Sequence, residues 1–197
     1  MFLGKIKITF NNSQYQSVIL LISGGFLLAF QDSLVKYAAE WTSFWQFQTL
    51  RSIFNLFLLV IIPPLFGIKL SKLLPKNIIM VILRTLFLVL CMFFFFCAAP
   101  KLTVAEMATG LYTYPIFVVI FAFLFLKEKI TFLKFSALVF GVVGALLVLK
   151  PWSTNFSVFQ IFPVLAGFFY ACNLFVLRKF CSNESPLAMT ATVALFF

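Results

Sequence analysis

IIMVILRTLFLVLCMFFFFCAA, residues 78–99, decides the fold: it contains one charged residue, Arg84, and one hydroxyl side chain, Thr85. A helix rises 1.5 Å per residue, so a run of this length crosses the ~30 Å hydrocarbon layer of a bilayer. The same reading repeats outward in both directions. Toward the N-terminus lie apolar runs at about Ser17 to Ala38 and Ser43 to Phe66. Toward the C-terminus follow Leu102 to Leu126, Phe132 to Leu149 and Val158 to Leu177, and a seventh begins near Pro186 and reaches Phe197. Short connections join them all. The expected fold class is therefore all-α, a polytopic helical membrane protein.

Composition agrees with the runs. Hydrophobic residues make up 63% of the 197 and charged residues 10%, against about 45–50% and ~25% in an ordinary soluble domain. The excess is too large for one soluble core, and the low charge excludes a disordered chain. The formal charge is +10, but the 30 Phe lie in apolar runs rather than among the basic residues, so no nucleic-acid partner is expected. Histidine is absent, which removes imidazole ligands and the usual general base. Cys91, Cys97, Cys172 and Cys181 have no CxxC spacing and read as small hydrophobes. No metal site, cofactor or enzymatic activity is expected.

Lys5 and Lys7 precede the first run, as in a signal peptide, but no small-x-small cleavage site follows and further spans begin at once. Basic residues set the orientation, because Lys and Arg near span ends stay in the cytoplasm. Lys5, Lys7, Lys69, Lys72, Lys76, Lys127, Lys129, Lys134, Arg178 and Lys179 fall on one side, and Lys36, Lys101 and Lys150 on the other. This places the N-terminus in the cytoplasm, in a multi-pass protein of the cell inner membrane whose basic loops meet lipid.

At an offset of 142, Gly25, Phe26 and Ala29 align with Gly167, Phe168 and Ala171, Gln31 with Asn173, and Lys36 with Arg178. Five spans separate the copies, so the second crosses in the opposite direction, which is an inverted repeat. The expected organisation is a cytoplasmic segment 1–16, a first five-span repeat 17–150, and the start of a second, incomplete repeat 151–197. Two equal repeats need about 284 residues, so the chain reads as truncated after about six and a half of ten spans, or as a short form that pairs with a second copy or another chain.

The stretch AAPKLTVAEMATGLYTYPIFVVIFAFLFLKEKITFLKFSALVFGVVGALLVLKP, residues 98–151, resembles the EamA-like branch of the drug/metabolite transporter superfamily. The likeness lies in the small-residue start of span four, its Tyr114-Pro115-Ile116-Phe117 centre, Glu128 at its end and the glycine-bearing fifth span closed by Lys150-Pro151. Arg51 and Arg84 also stand where such proteins often carry arginines. The resemblance implies ten spans in two inverted repeats. Within the superfamily the spacing is most similar to the bacterial S-adenosylmethionine uptake branch.

Charges inside a span cost ~2.5–3.5 kcal/mol on insertion scales, so each one is a candidate for function. Asp32 lies about 9 Å and Arg51 about 12 Å from the outer ends of their spans, at a shared depth. Gln48, Arg51 and Asn55 follow i, i+3, i+7 spacing and share one face of span two. They read either as the lining of a solute cavity or as a structural ion pair, with Lys36 as an alternative partner for Asp32. In span four, Glu106, Gly110, Thr113 and Phe117 share a face beside Thr109, Tyr112 and Tyr114. That face reads as substrate-binding, or Glu106 merely snorkels to the interface. Pro115 leaves the carbonyl of Leu111 without its helical donor and predicts a kink, either a gate hinge or a static bend. Arg84 reads as a lipid anchor. Ala137, Gly141 and Ala145 form a small-residue stripe for helix packing.

The expected function is a secondary transporter moving a small polar metabolite by alternating access. The alternative is a non-transporting or partner-dependent membrane subunit.

Overall fold

The structure is a computed structural model, and it describes residues 12–65, 67–68, 73–127, 131–150 and 157–197. Every element is helical: α1 Asn12–Ala39, α2 Phe44–Leu65, α3 Ile78–Ala98, α4 Val104–Leu111, α5 Tyr114–Leu126, α6 Phe132–Leu149, a 3-10 turn Val158–Gln160, α7 Ile161–Phe180 and α8 Pro186–Phe196. Among the described residues, six stretches are long and apolar enough to cross a membrane, with α4 and α5 together making the fourth and the 3-10 turn and α7 the sixth. Of the N-terminal segment 1–16, residues 1–11 lie outside the described residues, as do Glu128, Lys129 and Pro151. From Asn12 onward that segment is already part of α1, so this helix starts earlier than its apolar run.

Local chemistry sets the helix ends. Gly67, at φ +70, and Ile68 return their N–H groups to the carbonyls of Pro64 and Pro63, both at 2.9 Å. This left-handed turn terminates α2 after its proline pair, and only glycine adopts it without strain. Thr103 and Glu106 close the start of α4 as a capping box, with Glu106 Oε2 accepting from Thr103 N at 2.9 Å and Thr103 Oγ1 accepting from Glu106 N at 3.3 Å. Span four is interrupted at Tyr112–Thr113, and Pro115 stands in the first turn of α5. Proline donates no hydrogen bond, so the helix restarts at a position where none is required.

α7 is the central strut, lying along α3 and touching α4 and α5. Its crossing with α4 rests on two glycines. A Cβ on Gly110 would lie 2.4 Å from Pro163 Cβ, and one on Gly167 would lie 2.8 Å from the carbonyl oxygen of Leu111. Phenylalanines fill the remaining contacts, with Phe94 stacked on Phe169 at 5.5 Å and Phe168 edge-on to Phe117 at 5.4 Å.

Four long-range hydrogen bonds tie the helix ends into two layers. Lys36 Nζ, at the end of α1, donates to the carbonyl of Leu102. Gln160 Nε2, before α7, donates to Glu106 Oε1 at 3.0 Å. At the opposite end of α7, Glu184 accepts from the backbone N–H groups of Lys76 at 2.9 Å and Asn77 at 2.7 Å, which begin α3. Lys36 and Lys101 therefore lie at one end of the bundle, and Lys76, Arg178 and Lys179 at the other.

The outer faces are apolar: Leu21 is 75% exposed on α1 and Phe140 76% on α6. Such surfaces fit lipid contact rather than water. The stripe Ala137, Gly141 and Ala145 on α6 is not packed tightly within the chain, because Gly141 has nothing within 4 Å of where a Cβ would stand.

Candidate functional site

α1, α2, α3, α7 and the interrupted span four enclose a cavity of about 310 Å³, lined by Asp32, Gln48, Arg51 and Tyr112. The volume lies at the lower end of the range for small-molecule sites. The walls are aromatic: Phe44, Phe47, Phe95 and Phe96 from α2 and α3, then Tyr112 and Tyr114 at the break and Tyr170 on α7. Tyr114 and Tyr170 meet edge to face at 4.9 Å. Tyr112 reaches the cavity because the interruption of span four presents it there.

The polar groups in this cavity are poorly satisfied by the protein. Asp32 and Arg51 share the chamber, yet neither has an ion-pair or hydrogen-bond partner among the described residues. Lys36, the alternative partner for Asp32, is committed to Leu102. Gln48 is 3% exposed, and its amide donates only to Met92 Sδ, at 3.0 Å, a weak acceptor.

A smaller cavity of about 170 Å³ adjoins the first and shares Gln48, Arg51, Leu88 and Met92 with it. Arg84, Ser52, Asn55 and Thr190 supply the rest of its polar lining. Arg84 is not the lipid anchor its position suggests. Its Nε and Nη1 are buried, without hydrogen-bond partners, on a side chain that faces this interior space. Asn173 Oδ1 is likewise buried and unpaired.

The structure thus brings together Asp32, Gln48, Arg51 and Tyr112, and holds Glu106, Thr109 and Thr113 apart from both cavities. Glu106 is occupied by the α4 cap and by Gln160. Thr109 Oγ1 donates to the Ala105 carbonyl at 2.7 Å, and buried Thr113 Oγ1 to that of Gly110 at 2.7 Å, against α7. The face that Gly110, Thr113 and Phe117 share packs on the strut, so the helical spacing that groups them reports packing. Thr103-x-x-Glu106 is itself a capping-box signature, which accounts for Glu106.

Arg84 is the residue that the sequence reading assigned to lipid, and Tyr170 is the one that it passed over. The internal repeat points to Tyr170. At the offset of 142, Leu28 corresponds to Tyr170, and both line the larger cavity. The same offset relates Gln48, Arg51 and Asn55 on α2 to Thr190, Val193 and Phe197, and all six line the smaller cavity. Residues related by this offset therefore line the same space.

A family model described as the EamA-like transporter family matches residues 16–150. The chain belongs to this family. Among curated relatives, this EamA chain is 34% identical over 85 residues to a riboflavin transporter of Vibrio cholerae, covering 43% of the chain and 28% of the relative. It is 26% identical over 168 residues to a pseudopaline exporter of Pseudomonas aeruginosa, covering 85% and 58%. It is 31% identical over 91 residues to an S-adenosylmethionine uptake transporter of Rickettsia felis, covering 45% and 31%. The matches span less than two thirds of the length of each of these relatives. No solved structure matches the chain significantly.

Proposed function

We propose that this EamA chain forms the first repeat, 17–150, and part of the inverted second repeat of an inner-membrane secondary transporter, with its N-terminus in the cytoplasm. The cargo is a small polar metabolite that carries a flat ring, moved by alternating access. One observation carries this reading: a ring-lined cavity within the helix bundle holds Asp32, Gln48 and Arg51 with hydrogen-bonding capacity that the protein does not use. Unpaired charges at that depth are expensive, and a solute that pairs with them offsets the cost. The aromatic walls suit stacking on a planar heterocycle, in keeping with relatives named for riboflavin and S-adenosylmethionine, both of which contain one.

Asp32 and Arg51 orient the polar end of the solute, Gln48 and Tyr112 add hydrogen bonds, and the break before Pro115 is the hinge that opens the chamber. The open small-residue stripe on α6 supports a second reading, in which this half works only when packed against a further five-span unit, in a homo- or hetero-dimer.

The test is counterflow of labelled riboflavin and S-adenosylmethionine, with a panel of unlabelled metabolites as competitors, in proteoliposomes containing the full protein. Asp32→Asn and Arg51→Ala are each expected to lower transport of the accepted solute at least ~10-fold, the scale of one charge-assisted hydrogen bond. Wild-type rates in both variants would remove this site.

A further inference from the structure

The smaller cavity has a chemistry of its own. We propose that it receives an anionic group, a carboxylate or phosphate carried by the solute, held by Arg84 together with Arg51. This rests on the reading of the ring-lined cavity as the solute site.

Two guanidinium side chains line this space of about 170 Å³, and no carboxylate does. The chain has only five acidic residues, Asp32, Glu40, Glu106, Glu128 and Glu184. Glu106 caps α4, and Glu184 caps the start of α3. Glu40 follows the end of α1, in the opposite layer from the start of α3, and Glu128 lies outside the described residues. Asp32 lines the larger cavity but not this one, and it is not paired with Arg51. The two arginines thus leave a positive field that no carboxylate among the described residues offsets.

The hydrogen bonds missing from Arg84 Nε and Nη1 are a second observation pointing the same way. Each of these atoms shares an edge of the guanidinium with Nη2, and such an edge binds a carboxylate or phosphate through two parallel bonds. Across the cavity, the repeat-related positions are Thr190, Val193 and Phe197, which offer one hydroxyl and no charge. Anion recognition therefore comes from the first repeat.

The volume is several times the ~30 Å³ share of one water molecule, which fits an acid group better than a ring system. Because the two cavities share Gln48, Arg51, Leu88 and Met92, one solute can span both, ring in the larger and acid in the smaller.

The experiment uses the full protein in phosphatidylcholine nanodiscs and titrates it by thermal shift with inorganic phosphate, 3-phenylpropionate and the neutral 3-phenylpropionamide, at ionic strength matched with chloride. Phosphate and 3-phenylpropionate are expected to bind wild type, and Arg84→Gln to weaken both at least ~10-fold while leaving amide binding unchanged. Should Arg84→Gln fail to fold, Arg84→Lys serves. It keeps the charge but loses the fork, and a smaller weakening confined to the two anions is expected. Equal anion binding by wild type and variant overturns the proposal, since any general stabilisation by phosphate affects both proteins. Protection by phosphatidylglycerol nanodiscs without any effect of phosphate or 3-phenylpropionate also overturns it, assigning Arg84 to a lipid headgroup. Arg84-dependent anion binding alongside transport that ignores Asp32→Asn and Arg51→Ala would sink the ring-cavity reading and leave the anion site standing.

Discussion

Gly110 and Gly167 make the crossing of α4 and α7 possible, whereas Gly141 on α6 faces open space, although all three sit in apolar helical runs. A methyl group on Gly110 meets the rigid ring of Pro163, and one on Gly167 meets backbone. Gly110→Ala or Gly167→Ala should therefore destabilise the protein by about 1–3 kcal/mol through overpacking. Gly141→Ala should be neutral or stabilising by up to ~1 kcal/mol, from helix propensity. Thermal unfolding in detergent checks the contrast, and equal effects at Gly110 and Gly141 would contradict the packing described here. The residue scale is where sequence reading was weakest. Spacing placed Glu106, Gly110, Thr113 and Phe117 on one face, but spacing alone does not tell a face turned to a cavity from one pressed on a neighbouring helix.

At the scale of elements, the start of α3 is held by a residue distant in sequence. Glu184, in the connection between α7 and α8, accepts two backbone N–H groups at that helix N-terminus, while Asn77 Oδ1 accepts from Met80 N at 3.3 Å. These backbone donors hold the Glu184 carboxyl below its ordinary range. A depressed carboxyl stabilises the fold fully above its unfolded value and loses that contribution as pH falls through the folded value. The thermal stability of wild type should thus exceed that of Glu184→Gln at neutral pH and converge with it below pH ~4, the ordinary glutamate range. A gap that stays constant with pH would show that the carboxylate charge is not what holds α3. The ends of the helices are legible in the sequence where apolar runs stop, and the break of span four is legible from Pro115. The cap from Glu184 was not, because it joins residues 107 and 108 apart.

For the whole molecule, the two hydrogen-bonded layers put Lys76, Arg178 and Lys179 at one end and Lys36 and Lys101 at the other, and the proposed orientation makes the first end cytoplasmic. In a cysteine-free background, Asn183→Cys should react with an impermeant thiol reagent only from the cytoplasmic side, and Trp41→Cys only from outside. The reverse labelling pattern would invert the proposed orientation.

The sequence by itself determined that this is a multi-span helical membrane protein and where most spans lie, because hydrocarbon thickness and the need to satisfy backbone hydrogen bonds internally leave a long apolar run little choice but a helix. Only the tertiary structure decided which faces of those helices enclose space. It turned Arg84 inward to the space that Arg51 lines, brought Tyr170 to the cavity that Leu28 lines, and buried Thr113 against α7. In an apolar medium, the hydrophobic contrast that marks the inner face of a soluble helix is largely missing. The inner faces are settled instead by close fit between particular side chains, as at Gly110 and Gly167, and that fit exists only once the helices are assembled.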